Sequence, residues 1–552
     1  MALYDKASLV LIPSGTKESK VFSQKPTNGD GDFTFSRASA ATRVNSDGLI
    51  EKETQNQITY SNTFSETAWS KYLISLTSGQ SGYDGTSDAW LLERSGAFGN
   101  VYRNVSNSGV FTWSVYAKAG SYDFLCLRFR NTSNAYRSAF FDLSNGTLGS
   151  VDSNMIKHSI EDVGSGWYRC QIAFNDSGIN QVMIYPSDVN NGIGNSGTGN
   201  IYIQDAQLEQ GLVAQPYIET TTAAVYEGIT DNIPRLDYTD ASCPSLLLEG
   251  QRTNIAINSE YFDASSWVKQ NCTITSNYAI SPEGVNNASR IVSSGTFYLY
   301  QLFTFTNAVE YTLSFYVKSN GSGNDSFRLY AEGNSTTKTA TSEWVRHEYT
   351  FTGQGTSKDF GLRDVGGLSL DILIWGAMVE QSSYATSYIP TYGASVTRLA
   401  EPNQLGKTDL ISDGFFSSTE LTWFIDINLF EKDGGGSVAP RLVNSSNNQI
   451  FIGLNETLGG NLNIRHKDGT TAANTSGVSF DENGQRFKIL VKVSGTTGEA
   501  FINGSSMGTF TTLAASNYDE FDDVAANAYD LRQMLMLPTA LTDAECIDLT
   551  TI

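Results

Sequence analysis

Phe111-Thr-Trp-Ser-Val-Tyr-Ala-Lys118 decides the fold of this chain, because it is written twice. Its twin is Tyr311-Thr-Leu-Ser-Phe-Tyr-Val-Lys318. In the first copy Phe111, Trp113, Val115 and Ala117 share one side. In the second, Tyr311, Leu313, Phe315 and Val317 do the same. Alternation with period two marks a strand with one buried face.

Outward from these strands the duplication extends in both directions. One module opens at Ser61-Asn-Thr-Phe-Ser-Glu-Thr-Ala-Trp-Ser-Lys71 and closes at Ile201-Tyr-Ile-Gln-Asp-Ala-Gln-Leu-Glu-Gln210. The other opens at Asn258-Ser-Glu-Tyr-Phe-Asp-Ala-Ser-Ser-Trp-Val-Lys269 and closes at Asp371-Ile-Leu-Ile-Trp-Gly-Ala-Met-Val-Glu-Gln381. Trp69 and Trp267 stand 198 residues apart, Gly85 and Gly284 199, and Tyr116 and Tyr316 200. The offset drops to 171 between Glu209 and Glu380, as loop deletions late in the module would produce. Short strands, regular turn signals and almost no helical periodicity predict antiparallel β-sandwiches. A tandem repeat of this size suits an array built for reach or multivalent binding.

The chain of 552 residues exceeds one core and leaves room for about three to five domains. Five units are expected: a lead-in and anchoring region over 1–60, module one over 61–222, a connector over 223–257, module two over 258–398, and a further β-sandwich over 399–552. In the last, Arg486-Phe-Lys-Ile-Leu-Val-Lys-Val493 reads as a strand and Asn503-Gly504 as a type I′ hairpin turn. Thr542-Asp-Ala-Glu545 is a capping box that starts a short terminal helix. In the lead-in, Asp47-Gly48 is a second hairpin signal.

The net charge of −22 opposes nucleic-acid and anionic-membrane binding. No apolar run reaches the roughly 18 residues of a membrane span, so no membrane insertion is expected. Met1-Ala-Leu-Tyr-Asp-Lys-Ala7 lacks the basic and apolar regions of a secretory signal, so release by lysis is the expected route out of a cell. Cys126, Cys170, Cys243, Cys272 and Cys546 form no CxxC pair and read mostly as small buried hydrophobes.

The carboxylates and histidines form no recognisable catalytic pattern. No Glu-x-Asp-x-Glu triplet aims paired carboxylates into a cleft, as hydrolysis of a glycoside needs. His158, His347 and His466 sit in no metal or general-base arrangement. No nucleophile elbow or P-loop is present. The chain is therefore expected not to be an enzyme. Asp519-Glu520 and Asp522-Asp523 read as a solvated loop, with calcium as the alternative.

Sugar binding needs exposed aromatic faces beside hydrogen-bonding groups. Trp69, Trp267, Trp113, Trp167 and Trp344 fall at shared module positions and read as sandwich core. Aromatics that differ between copies are better candidates. Aligning Phe297-Tyr-Leu-Tyr300 with Phe98-Gly-Asn-Val101 makes Tyr298 and Tyr300 unique to module two. Tyr83 and Tyr102 are the candidates of module one.

Several stretches resemble structural proteins of tailed bacteriophages. They are Phe35-Ser-Arg-Ala-Ser-Ala-Ala-Thr-Arg-Val44 with Gly48-Leu-Ile-Glu51, the connector from Pro234-Arg-Leu-Asp-Tyr238 to Arg252-Thr-Asn254, Gly376-Ala-Met-Val-Glu-Gln381, and Tyr384-Ala-Thr-Ser-Tyr-Ile-Pro-Thr391 with Ala394-Ser-Val-Thr-Arg398. The Asn-x-x-Phe…Trp opening, the Tyr311–Lys318 strand and the Ile-x-x-Ala-x-x-Glu close resemble jelly-roll carbohydrate-binding modules. Phe501-Ile-Asn-Gly504 and Leu541-Thr-Asp-Ala-Glu545 are similar to concanavalin A-like (laminin G-type) sandwiches. These resemblances imply an all-β chain of tandem jelly-roll β-sandwiches followed by a concanavalin A-like sandwich. They imply a tail-fibre, head-fibre or appendage subunit on the virion exterior, assembled in the host cytoplasm. Its partners would be other virion proteins, copies of itself in a homotrimer, and host surface glycans. A capsid decoration protein and a capsule depolymerase are the alternatives. No cofactor is required, but jelly-roll carbohydrate-binding modules often hold a structural calcium. Asp205 stands at the matching closing position and Gly376 replaces it in module two, with Asp30 and Asp32 as further candidates.

Overall fold

The computed structural model describes residues 3–239, 242–321, 325–401, 405–430, 440–444, 446, 448–455, 461–468, 471–479, 484–522 and 529–552. The fold is all-β: antiparallel strands form three sandwiches, with short helices at Leu3–Lys6 and Asp543–Thr550. The two duplicated strands lie where their alternation puts them. Phe111, Trp113, Val115 and Ala117 are buried in the core of module one, and Tyr311, Leu313, Phe315 and Val317 in that of module two. Each side chain removed from water on this scale contributes roughly 1.5–3 kcal/mol.

The two copies differ in how their sheets are cut. In module one, the long strands Asn100–Ala119 and Trp167–Ser187 pair along nearly their whole length. They slip register between Asn104 and Gly109 and so carry one ladder around both layers. In module two the same ladder is broken. Tyr298–Thr304 pairs with Ser357–Asp364 in one five-stranded sheet, and Glu310–Ser319 with Val345–Thr352 in the other. The break on one side falls at Gly353-Gln-Gly355, where Gly355 takes φ +74°.

A buried asparagine closes each module. Asn56 donates to the carbonyls of Ala206 (3.0 Å) and Ile218 (2.8 Å) and accepts from the amides of Ile58 and Leu208. Asn254 makes the same four bonds to Ala377, Ile389, Ala256 and Val379. All four hydrogen-bonding positions of each amide are used. Each asparagine stands before the expected module start, so the framework begins with Thr54-Gln-Asn56 and Arg252-Thr-Asn254. A few residues on, Trp69 and Trp267 donate their indole N–H to the carbonyls of Tyr60 (2.9 Å) and Asn258 (3.1 Å).

The third sandwich draws on the whole chain. Its strand Tyr529–Leu537 pairs on one side with Glu420–Leu429. On the other it pairs with Leu9–Leu11 and with Ser245–Leu248, which continues to Arg235–Asp237. The expected lead-in over 1–60 and connector over 223–257 are therefore not separate units. Leu9, Val10 and Leu11 are fully buried, and an apolar strand of this kind is stable only when paired and covered. The terminal features match the sequence. Thr542 and Glu545 form the reciprocal capping box, and Asn503 and Gly504 both take positive φ between two paired strands.

Four chain segments meet at a buried ionic joint. Arg37 pairs with Glu401 (2.7 Å), Arg235 with both Glu401 and Glu249, and Arg398 with Glu249 (2.7 Å). None of these five side chains is more than 4 % exposed. Ser387 adds its amide and hydroxyl to Glu249. The arginines hold Glu249 far below, and Glu401 below, the usual carboxylate range despite their burial. Arg37, Arg235, Glu249 and Arg398 come from the quoted stretches, and Glu401 lies three residues beyond the last of them. A second buried cluster ties Lys52 to Glu260 (3.1 Å), Glu283 (2.8 Å) and the Tyr392 hydroxyl, linking the lead-in to module two.

Candidate carbohydrate-binding surfaces

In module two, Leu299 points into the core, so its neighbours Tyr298 and Tyr300 face outward. Across the sheet, Tyr300 stands opposite Gly361, and Gly361 opposite Tyr330. Tyr298 stands opposite Arg363, and Arg363 opposite Arg328. Two strand spacings separate Tyr300 from Tyr330, roughly 10 Å, with a glycine as the floor between them. A Cβ on Gly361 would lie 2.0 Å from the Leu299 carbonyl, so this close strand approach requires glycine. Tyr298 presents its edge to Tyr330 at 6.2 Å, and Arg363 lies over the Tyr330 ring at 5.4 Å.

The polar groups of this surface are only partly used. Arg363 donates to the Ser335 hydroxyl (2.9 Å), but its Nε makes no hydrogen bond. The Tyr330 hydroxyl is buried and has no partner, and burial with nearby Asp359 raises its pKa. Gln270 reaches the Tyr300 hydroxyl at 3.4 Å. Partly exposed aromatic rings beside a guanidinium are groups that hold a sugar ring, and Tyr330, only 2 % exposed, packs beneath them.

The sheet register corrects the alignment behind the two tyrosines. Val101 and Leu299 are the matching core residues, so Tyr300 is the structural counterpart of Tyr102, not a residue unique to module two. Tyr298 corresponds to Asn100 and does differ. A slip of one residue exchanges the two faces of a strand. Around Tyr102 the surface of module one is filled. Met183 stands where Gly361 lies, and Tyr102 packs with Cys126, Phe140, Met183, Tyr185 and Ile193.

Tyr83 is engaged within its own module. Its ring lies flat on Tyr116, centroids 3.8 Å and planes 3° apart, and its hydroxyl donates to Asp205 Oδ2 at 2.9 Å. Asp205 takes φ +54°, and burial pushes its carboxyl up to about 7 against the stabilising Tyr83 bond. Asp32 accepts from Ser23 and faces Lys20, while Asp30 bonds Asn28. Among the described residues no group of three metal-ligating side chains gathers. Asp519 accepts from the Ile411 amide and Asp522 pairs with Arg441, while Asp523 lies outside the described residues.

The remaining aromatics divide. Trp69, Trp113 and Trp267 are core, as read from the sequence. Trp167 is also fully buried, but in a separate cluster with Tyr116 on the other side of its sheet, whereas Trp344 is partly exposed beside Tyr316. His158, His347 and His466 have pKa values lowered by burial, and none joins a carboxylate pair. The residues that sequence reasoning missed are Tyr330, Gly361 and Arg363. They come from two further strands, and only cross-strand register brings them to Tyr300.

No protein-family model and no curated protein matches the sequence. Solved structures similar to the chain include the CBM40 of a Ruminococcus gnavus IT-sialidase, at 13 % identity and TM-score 0.20, covering 24 % of this chain and 84 % of that one. The tandem CBM22-1-CBM22-2 domain of Paenibacillus barcinonensis Xyn10C is 10 % identical at TM-score 0.21, covering 63 % and 100 %. Trypanosoma rangeli sialidase bound to the inhibitor DANA is 9 % identical at TM-score 0.22, covering 93 % and 97 %. At these TM-scores the β-sandwich architecture stands on the sheets and registers described above.

Proposed function

We propose that this chain is a non-catalytic glycan-binding protein of a tailed-phage particle, a fibre or appendage subunit that contacts host surface sugars. The observation that carries the binding half is the open face of module two. The partly exposed Tyr298, Tyr300 and Arg363 stand there above the buried Tyr330 and Gly361, and the same face of module one is plugged by Met183. One scaffold thus serves two ends: module two presents a ligand surface and module one extends the array. The virion half rests on the resemblance of the stretches that build the buried ionic joint. A homotrimer follows from that same resemblance, and copy number would multiply a weak single-site affinity.

Titration of the purified chain against host-surface polysaccharides tests the binding reading. Tyr300→Ala and Arg363→Ala should each weaken binding about tenfold or more without shifting the melting temperature by more than a few degrees. Unchanged affinity in both variants removes this face as the site. Labelling of intact particles with an antibody to the chain tests the virion reading.

The ionic joint favours a second reading, in which the chain is a rigid decoration protein whose sandwiches act as spacers. Absence of binding to every host polysaccharide would select it. Release of reducing ends would instead establish a depolymerase.

A further inference from the structure

A cavity of about 780 Å³ opens where module two meets the Asp47-Gly48 hairpin, the connector and the third sandwich. Its module-two wall is the outer face of the other sheet, opposite the core from Tyr300. Tyr316, Lys318, Trp344 and Arg346 line it, with Pro282 and Tyr384 at its margin.

Module one carries the same four residue types in the same places. Tyr116 pairs across the ladder with Arg169, and Lys118 with Trp167, as Tyr316 pairs with Arg346. In both copies the arginine lies over the tyrosine ring, at 5.3 Å and 5.5 Å. In both it donates at 2.5 Å to a backbone carbonyl of the closing segment, Gln215 or Thr386.

The copies part at one point. In module one the space above Tyr116 is taken by the stacked ring of Tyr83, anchored through its hydroxyl to Asp205. The offset between Gly85 and Gly284 places Pro282 at the position of Tyr83, and Gly376 replaces Asp205. Ring and anchor are both missing from module two. What remains is the cavity, with a half-buried Tyr316 on its wall. Among the described residues neither the Tyr316 hydroxyl nor the Lys318 ammonium has a hydrogen-bond or ion-pair partner.

We propose that this cavity binds a single pyranose residue, whose apolar face stacks on Tyr316 in the place that Tyr83 fills on Tyr116. A pyranose matches the occupant of the first copy in having a flat apolar face and a hydroxyl at its edge. Lys318 and Arg346 donate to the oxygens of the ring and its substituents, and Trp344 closes one side. This site is separate from the Tyr300 face, and neither depends on the other.

Isothermal titration and saturation-transfer NMR with methyl glycosides of the common neutral hexoses test it. The wild-type chain should bind at least one of them, and Tyr316→Ala should weaken that binding tenfold or more. The double variant Pro282→Tyr/Gly376→Asp rebuilds the plug of module one and should abolish it. Neither change should alter affinity at the Tyr300 face, which Arg363→Ala reports separately. Loss of signal in Arg363→Ala with none in Tyr316→Ala would assign all binding to the Tyr300 face and overturn the proposal. So would absence of binding by the wild-type chain to every glycoside. Should the double variant misfold, Tyr316→Ala still decides, because it removes bulk from a cavity wall rather than filling it.

Discussion

Arg235 Nε lies 2.9 Å from Glu401 Oε1, and both side chains are completely buried. Glu401 also accepts from Arg37, whose sequence position is 364 residues away. Removing one partner from a buried ionic cluster leaves the others uncompensated and costs about 3–5 kcal/mol. Glu401→Gln should therefore lower the melting temperature of the third sandwich sharply, read by calorimetry. The carboxylates Glu249 and Glu401 have folded pKa values below their unfolded value of about 4.3. Their contribution is complete above that pH and fades as pH falls below it. The Glu401→Gln penalty should accordingly be full at pH 7 and shrink below pH 4.

Asn254→Ala should unfold module two without touching module one. It strips partners from two buried carbonyls and two buried amides, at about 1–3 kcal/mol for each group left unpaired. Asn56→Ala should do the reverse. Hydrogen exchange resolved by module reads the difference, and equal loss of protection in both modules would contradict it.

Asp205→Asn should stabilise module one, but only at higher pH. The Asp205 carboxyl is pushed up to about 7 in the fold against about 3.9 unfolded. The folded state thus holds the extra proton between those values, so stability falls as pH rises through that window and the penalty is complete above it. The amide keeps a carbonyl for the Tyr83 hydroxyl and has no charge to bury. A melting temperature raised by about 2–4 °C at pH 8, for each kcal/mol relieved, with little change at pH 4, is expected.

Gly361→Ala should destroy the module-two face from beneath. The added methyl meets the Leu299 carbonyl, a backbone atom that cannot swing away. A loss of about 1–3 kcal/mol follows, as for other overpacked sites. Binding at Tyr300 should fall with it, read by titration and thermal melting on the same sample.

The features legible in the sequence are those made within a few residues. Period-two strands, the Asn503-Gly504 turn and the Thr542–Glu545 capping box depend on neighbours a turn away, and all three stand in the structure. Both copies of the module were visible because loops changed while core positions did not. The face of module two was legible only in part. Tyr298 and Tyr300 are on it, but the gapped alignment slipped by one residue and hid the equivalence of Tyr300 and Tyr102. Tyr330, Gly361 and Arg363 reach the site through strand register, which no local pattern specifies. The ionic joint was beyond reach for the same reason: its charges come together across hundreds of residues, and each looks like an ordinary surface group in its own stretch.

The pairing of Leu9–Leu11 with Met534–Met536 has a bearing on how the molecule is made and how it resists force. A ribosome delivers the first of these strands about 500 residues before the second, so the third sandwich cannot close until Met534–Met536 has emerged. The two modules can condense while Ala7–Ile12 waits as an unpaired apolar edge, the kind of segment that recruits the wrong neighbour. Once closed, the same ladder holds Leu9–Leu11 and Met534–Met536 side by side. Tension applied between them falls first on this short ladder and the strands beside it. Modules one and two hang outside that line of load and keep their shape until it parts.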